Sequence, residues 1–134
     1  MKHILLLILL AATSMMAQTN YINGVAYMII LNEQMEVLKE IPMGKDVLIS
    51  YDKFYDSYDI MMTAEDGMMS FNLDYVNTDD RKKVYIDKDS SQENDFFYAE
   101  DRLLDERKLF LIQFDTKVVN GETLRLVYRF ESFK

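Results

Sequence analysis

The side chains able to do chemistry in this chain are its carboxylates and its tyrosines. It holds 23 aspartates and glutamates and 9 tyrosines, with a single histidine and no cysteine or tryptophan. That histidine is His3, inside an N-terminal stretch that reads as a leader. Residues 18–134 therefore lack the groups for a Ser-His-Asp or Cys-His mechanism. They cannot offer imidazole or thiolate to zinc or copper, nor hold a haem through the usual axial ligands. Oxygen chemistry remains, as carboxylate acid–base pairs or oxygen ligands for hard cations. A working carboxylate pair needs a defined separation across a cleft. With no active-site motif in so short a chain, the expectation is a non-catalytic protein without a cofactor.

Two constellations stand out. Asp87-Lys88-Asp89-Ser90-Ser91 begins like a calcium loop, with oxygen side chains at the first, third and fifth positions. It then departs from that pattern, with Gln92 where glycine should turn the chain and Tyr98 where a bidentate glutamate should close the cage. A looser cage from Asp87, Asp89, Glu93 and Asp95 is one reading, and a solvated loop of turn-forming residues is the plainer one. No metal is assigned. The second constellation repeats tyrosine beside aspartate at Tyr51-Asp52, Tyr55-Asp56 and Tyr58-Asp59, with Phe54 among them. Tyrosine is enriched at interfaces because its ring is apolar and its hydroxyl polar. Tyr51, Asp52, Phe54, Tyr55, Asp56 and Asp59 are thus the candidate partner surface. The plainer reading has tyrosine rings capping a core while the aspartates stay wet.

The elements that must position these groups read as strands. From Val47 onward, short alternating segments follow one another between polar turns: 47–51, 58–62, 71–75, 84–86, 96–98, 109–114 and 124–130. Regular strands with turn residues between them predict an all-β antiparallel meander forming a small barrel or half-barrel, with room for one short helix. A turn at Ala64-Glu65-Asp66-Gly67 pairs Met62 with Met69 and Ile60 with Phe71, which gathers the large apolar side chains on one face. At Val119-Asn120-Gly121 the pattern favours a three-residue bulged turn. It pairs Phe114 with Leu126, Ile112 with Tyr128 and Phe110 with Phe130. Val25 to Leu31 is apolar on both faces, and residues 32–41 are rich in helix formers. Strand is the preferred assignment for 25–41.

Seven methionines lie beyond residue 17, and four of them flank the 64–67 turn. Alternation sends Met62 and Met69 inward and Met61 and Met68 outward. Flexible thioethers suit an adaptable cavity or partner surface, and they also fill irregular gaps in cores.

The stretch from Met1 to Ala17 has the layout of a secretory signal peptide: Lys2, an unbroken apolar run from Ile4 to Ala12, then small residues. It is shorter than the roughly 20 apolar residues of a membrane span. No second hydrophobic segment and no lipid-anchoring cysteine follow, so no stable membrane anchor is expected. The expected layout is a leader at 1–17 and a single β domain at 18–134, working in a periplasm or outside the cell. The formal net charge is −8, and loss of Lys2 with the leader makes the remainder one unit more negative. That sign repels phosphate backbones and argues against nucleic acid.

This general look is similar to small exported β-barrels of the lipocalin kind, although their Gly-x-Trp start cannot occur without tryptophan. The resemblance implies an architecture and leaves the function open. Two functions follow. In the first, the barrel holds a small apolar or amphipathic molecule against Tyr58, Ile60, Met62, Phe71, Leu73, Phe110, Ile112, Phe114, Leu126 and Tyr128. In the second, the barrel is filled and its acidic, tyrosine-rich surface binds a cationic protein.

Overall fold

The structure, a computed structural model, describes residues 18–88 and 95–133. The expected leader at 1–17 lies outside the described residues, as do residues 89–94 of the acidic loop. Nine strands follow in chain order: β1 (Gln18–Leu31), β2 (Val37–Asp52), β3 (Ser57–Ala64), β4 (Gly67–Asp79), β5 (Lys82–Asp87), β6 (Asp95–Arg102), β7 (Lys108–Gln113), β8 (Lys117–Val119) and β9 (Glu122–Ser132). Strands β1 to β7 pair antiparallel in succession, and β9 pairs with both β7 and β1. The meander thus closes into an eight-strand barrel, with β8 a short arm on β9. No helix occurs among the described residues, and 25–41 is strand, turn and strand.

Closure removes the edges that an open sheet would expose. It also forces β1 hard against β9. At Gly24 an added Cβ would lie 2.3 Å from the backbone oxygen of Glu131, so only glycine lets these two strands meet. Alternation then sorts the side chains. Val47, Ile49, Tyr58, Ile60, Met62, Leu73, Tyr85, Phe97, Leu109, Leu111 and Phe130 point inward into one buried cluster.

The register at the 64–67 turn is as the pattern predicts: Met62 faces Met69 and Ile60 faces Phe71. The register after β7 is different. Asn120 and Gly121 both take positive φ (52° and 80°), forming a two-residue turn that pairs Val119 with Glu122. Four residues then separate Lys117 from Ile112, against two between Leu124 and Val127. This irregularity restores a register in which Leu109 faces Phe130 and Leu111 faces Tyr128. The expected pairing is off by one residue, and a one-residue slip reverses every side chain. Phe110 and Ile112 therefore lie on the outer face, packed with Ile29, Leu31 and Val127 in a second, smaller cluster.

Because the strands alternate in direction, the connections fall at two ends. The β2–β3 turn (53–56), the Asp80-Arg81 turn and the β6–β7 loop (103–107) emerge at one, here the tyrosine end. The β1–β2 turn (32–36), the Glu65-Asp66 turn and the β8–β9 arm emerge at the other, the methionine end.

Candidate functional site at the tyrosine end

Three strands bring hydroxyls to the tyrosine end: Tyr51 on β2, Tyr58 on β3 and Tyr85 on β5. Their rings touch, with centroids 4.7 Å apart for Tyr51 and Tyr58 and 5.3 Å apart for Tyr58 and Tyr85. Tyr51 and Tyr85 both donate to Asp56 Oδ1, at 2.9 and 2.7 Å. Lys83 Nζ donates to Asp56 Oδ2 at 2.8 Å. Tyr58 donates to Asp101 Oδ2 at 2.5 Å, and Asp101 Oδ1 accepts from the Leu103 backbone N–H at 2.9 Å. A tyrosine from the barrel wall thus ties the β6–β7 loop down, while Asp56 ties the β2–β3 turn to β5.

Local chemistry explains why the β2–β3 turn forms. Asp52 Oδ1 accepts from the backbone N–H groups of Phe54 and Tyr55, at 2.9 and 3.3 Å. This is the turn chemistry that favours aspartate two residues upstream of a bend. Asp56 sits at φ 49°, a left-handed conformation that aspartate tolerates better than most residues.

Electrostatics follow from burial. Burial and then the Asp56 hydrogen bond and charge push the Tyr51 hydroxyl up to about 12. Tyr58 and Tyr85 are raised further, by burial first and then by Asp101 and Asp56 respectively. For Asp56, burial acts upward, but the donors Lys83, Tyr85 and Tyr51 together hold the carboxyl below its ordinary value. The tyrosines stay protonated and donating, and the carboxylate stays charged and accepting.

Above this base, three apolar side chains stand in solvent: Phe54 is 73% exposed, Tyr55 80% and Leu104 90%. Of the candidate partner surface, then, Phe54 and Tyr55 are presented outward. Tyr51 and Asp56 are half-buried members of the network, Asp52 holds the turn, and Asp59 is exposed on the wall. The tyrosine–aspartate repeat therefore divides by role. The acidic tint of this end is also partly neutralised, by Lys83 on Asp56 and by Arg102 between Glu100 and Glu106.

The residues expected to line a ligand cavity also divide. Tyr58, Ile60, Met62, Phe71 and Leu73 are inward and buried, Tyr128 is half-buried against them, and Leu126 shares its facing nearer the rim. Phe110 and Ile112 are outside, as the corrected register requires, and Phe114 stacks on Tyr98 at 5.0 Å beyond the end of β7. The inward groups pack against one another inside the barrel. Phe71 meets Phe97, Tyr128 and Phe130 at centroid distances of 5.4 to 6.1 Å, while Ile60, Met62, Leu109, Leu111 and Phe130 are 0% exposed. In the acidic loop, Asp87 is buried beside Leu73 and pairs across strands with Asp95, whereas Asp89 and Glu93 lie outside the described residues. The contributions of Tyr85, Lys83, Asp101 and Leu103 escape a reading by local spacing, since they reach the site from β5 and the β6–β7 region. No protein-family model matches the sequence, and no curated protein or solved structure is significantly similar to it, so the site is read from its own residues.

Proposed function

We propose that this protein is an exported, non-catalytic binding module that engages another protein through the tyrosine end of a filled β-barrel. The observation that carries this reading is the joint exposure of Phe54, Tyr55 and Leu104 on two loops of one end, above a hydrogen-bonded base. Exposed aromatic side chains held in fixed positions make good anchors for a partner's pockets. A surface ordered before contact also loses less entropy on binding. A small apolar ligand inside the barrel, the other expectation, would have to displace some of the side chains that pack against one another there. The leader supports a periplasmic or extracellular setting.

The negative net charge favours a cationic partner and disfavours nucleic acid. Several acidic groups of this end are already paired with the chain's own lysines and arginines, so the apolar tips lead and salt weakens binding only modestly. Asp56 is a poor choice for testing the surface, because changing it dismantles the base. The clean variant is Phe54→Ala with Tyr55→Ala and Leu104→Ala. The experiment is chemical cross-linking in an extract of the compartment where the protein resides, comparing that variant with the unaltered protein and with Met68→Leu. The reading expects a defined protein captured by the unaltered protein and by Met68→Leu but lost by the triple variant. Equal capture by all three, or none by any, sinks it.

A further inference from the structure

All seven methionines beyond residue 17 lie in the half of the barrel toward the methionine end. They come from β1 (Met28), the β1–β2 turn (Met35), β2 (Met43), β3 (Met61 and Met62) and β4 (Met68 and Met69). Filling gaps in a core is the ordinary work of methionine, and Met62 does it: it is 0% exposed and occupies the space that Gly44 leaves open, where an added Cβ would meet its Sδ at 2.8 Å. Met43 also packs against that core and Met28 is half-buried, but the methionines of the rim do not fit that role. Met69 is 40% exposed and Met68 68%, on a rim where aliphatic residues would serve as well.

Met28, Met43, Met68 and Met69 line one open cleft of about 390 Å3 between the β1–β2 pair and the β3–β4 turn. Ile41, Pro42 and Ala64 are the other apolar residues of its lining, with Glu65 and Asp66 beside them. Thioether sulfur is a soft, neutral donor that selects monovalent copper over the hard cations preferred by oxygen ligands. The rest of residues 18–134 carries no imidazole or thiol to compete for such an ion. The carboxylates of Glu65 and Asp66 supply negative charge without forming an oxygen cage. Among the described residues no group of three or more histidine, cysteine, aspartate or glutamate side chains is placed to hold a metal.

We propose that the methionine end binds one soft monovalent metal ion, Cu(I) or its stand-in Ag(I), through the thioethers of Met28, Met43 and Met69, with Met68 at the rim as a further donor. Binding leaves the metal's oxidation state unchanged. The apolar part of the lining suits a weakly hydrated ion, and the flexible thioether arms adjust to its geometry. The site lies at the opposite end from the proposed protein contact and stands independently of it.

The test uses the chain from Gln18 to Lys134. Cu(I) is offered without oxygen in competition with a chromophoric Cu(I) chelator, and Ag(I) is followed by the methionine methyl signals in NMR spectra. The expected result is one equivalent of Cu(I) withdrawn from the chelator. The methyl signals of Met28, Met43 and Met69 should shift with Ag(I), while that of Met61 stays in place. Leucine keeps the apolar bulk and removes the sulfur. Met28→Leu and Met69→Leu should therefore each weaken binding by at least about tenfold, the loss seen even when a partner of a metal ligand is removed. The methyl shifts need no variant, so a substitution that failed to fold would not spare the proposal. No withdrawal of Cu(I), shifts scattered over all the methionines, or undiminished affinity in the leucine variants would overturn it.

Discussion

The two ends of this barrel are closed by opposite means. At the tyrosine end, directional hydrogen bonds from three barrel-wall hydroxyls fix two loops through Asp56 and Asp101. At the methionine end, unbranched side chains with soft sulfur line an open cleft of about 390 Å3. A wider one of about 580 Å3 beside it, along Val25, Pro42 and Gly44, takes Met43 into its lining. The first arrangement rigidifies because a buried polar group left without its partner costs more than the bond itself contributes. The second yields because thioether arms rotate at little cost. One closed sheet thus carries a firm end suited to presenting a surface and a pliable end suited to taking something in.

The largest expected effect tests the core between these ends. Leu111→Ala should cost about 2–5 kcal/mol, as truncation of a buried leucine does, whereas Ile112→Ala on the outer face should cost about 1 kcal/mol. Equal losses in denaturant unfolding would mean that the β7–β9 register is wrong. The glycines come next. Gly24→Ala drives a methyl into the backbone of β9 and should destabilise by about 1–3 kcal/mol, the usual range for overpacking. Gly44→Ala meets the side chain of the buried Met62, at 2.7 Å from its Cγ, in place of backbone, and should cost less. If the order were reversed, the idea of a firm and a pliable end would fail.

Asp56→Ala strands the Tyr51 and Tyr85 hydroxyls and should cost about 1–3 kcal/mol, the penalty for orphaned buried donors. The same network gives stability a pH signature. Tyr51 titrates higher when folded, at about 12, than the ordinary tyrosine value near 10. Its contribution is complete below about pH 10 and is lost as pH rises toward 12, and Tyr58 and Tyr85 act in the same direction. Asp56 is held low, so its contribution is present above about pH 4 and is lost as acid protonates it below its ordinary value. Circular dichroism across pH 9–12 should therefore show unfolding that begins earlier in Asp56→Ala. The smallest effect is at the other end: Met69→Leu should change stability by less than about 0.5 kcal/mol. A larger loss in thermal unfolding would show that this rim is as tightly built as the tyrosine end.

Much of the fold was legible in the order of residues alone. The alternation of Tyr58, Ile60 and Met62 against Met69, Phe71 and Leu73, with Asp59 kept away from Asp74, favours a pairing that gathers all six on a single face, and the barrel adopts it. The same reasoning failed after β7. There, Phe110, Ile112 and Phe114 form as apolar a stripe as Leu109 and Leu111, and pattern alone has no means of choosing between two apolar faces. The turn at Asn120-Gly121 is the common two-residue kind, but the irregularity beyond it moves the register by two residues. Which stripe goes inside is decided by Phe97, Tyr128 and Phe130 arriving from β6 and β9.

The candidate site repeats the lesson. The repetition of tyrosine beside aspartate between positions 51 and 59 marked the region, since those residue types favour turns and interfaces wherever they occur. It did not separate Asp56, held by three donors, from Asp52, which shapes its own turn. By itself, the sequence determined the strand periodicity, the absence of imidazole and thiol beyond His3, and the surplus of methionine and tyrosine, because these are local or compositional properties. Only the tertiary structure decided that Tyr51, Tyr58 and Tyr85 gather at one end, opposite the methionines. Barrel closure brings β1 against β9 and carries Tyr85 and Asp101 to Tyr51 and Tyr58, and such meetings depend on strand direction and register across the whole sheet.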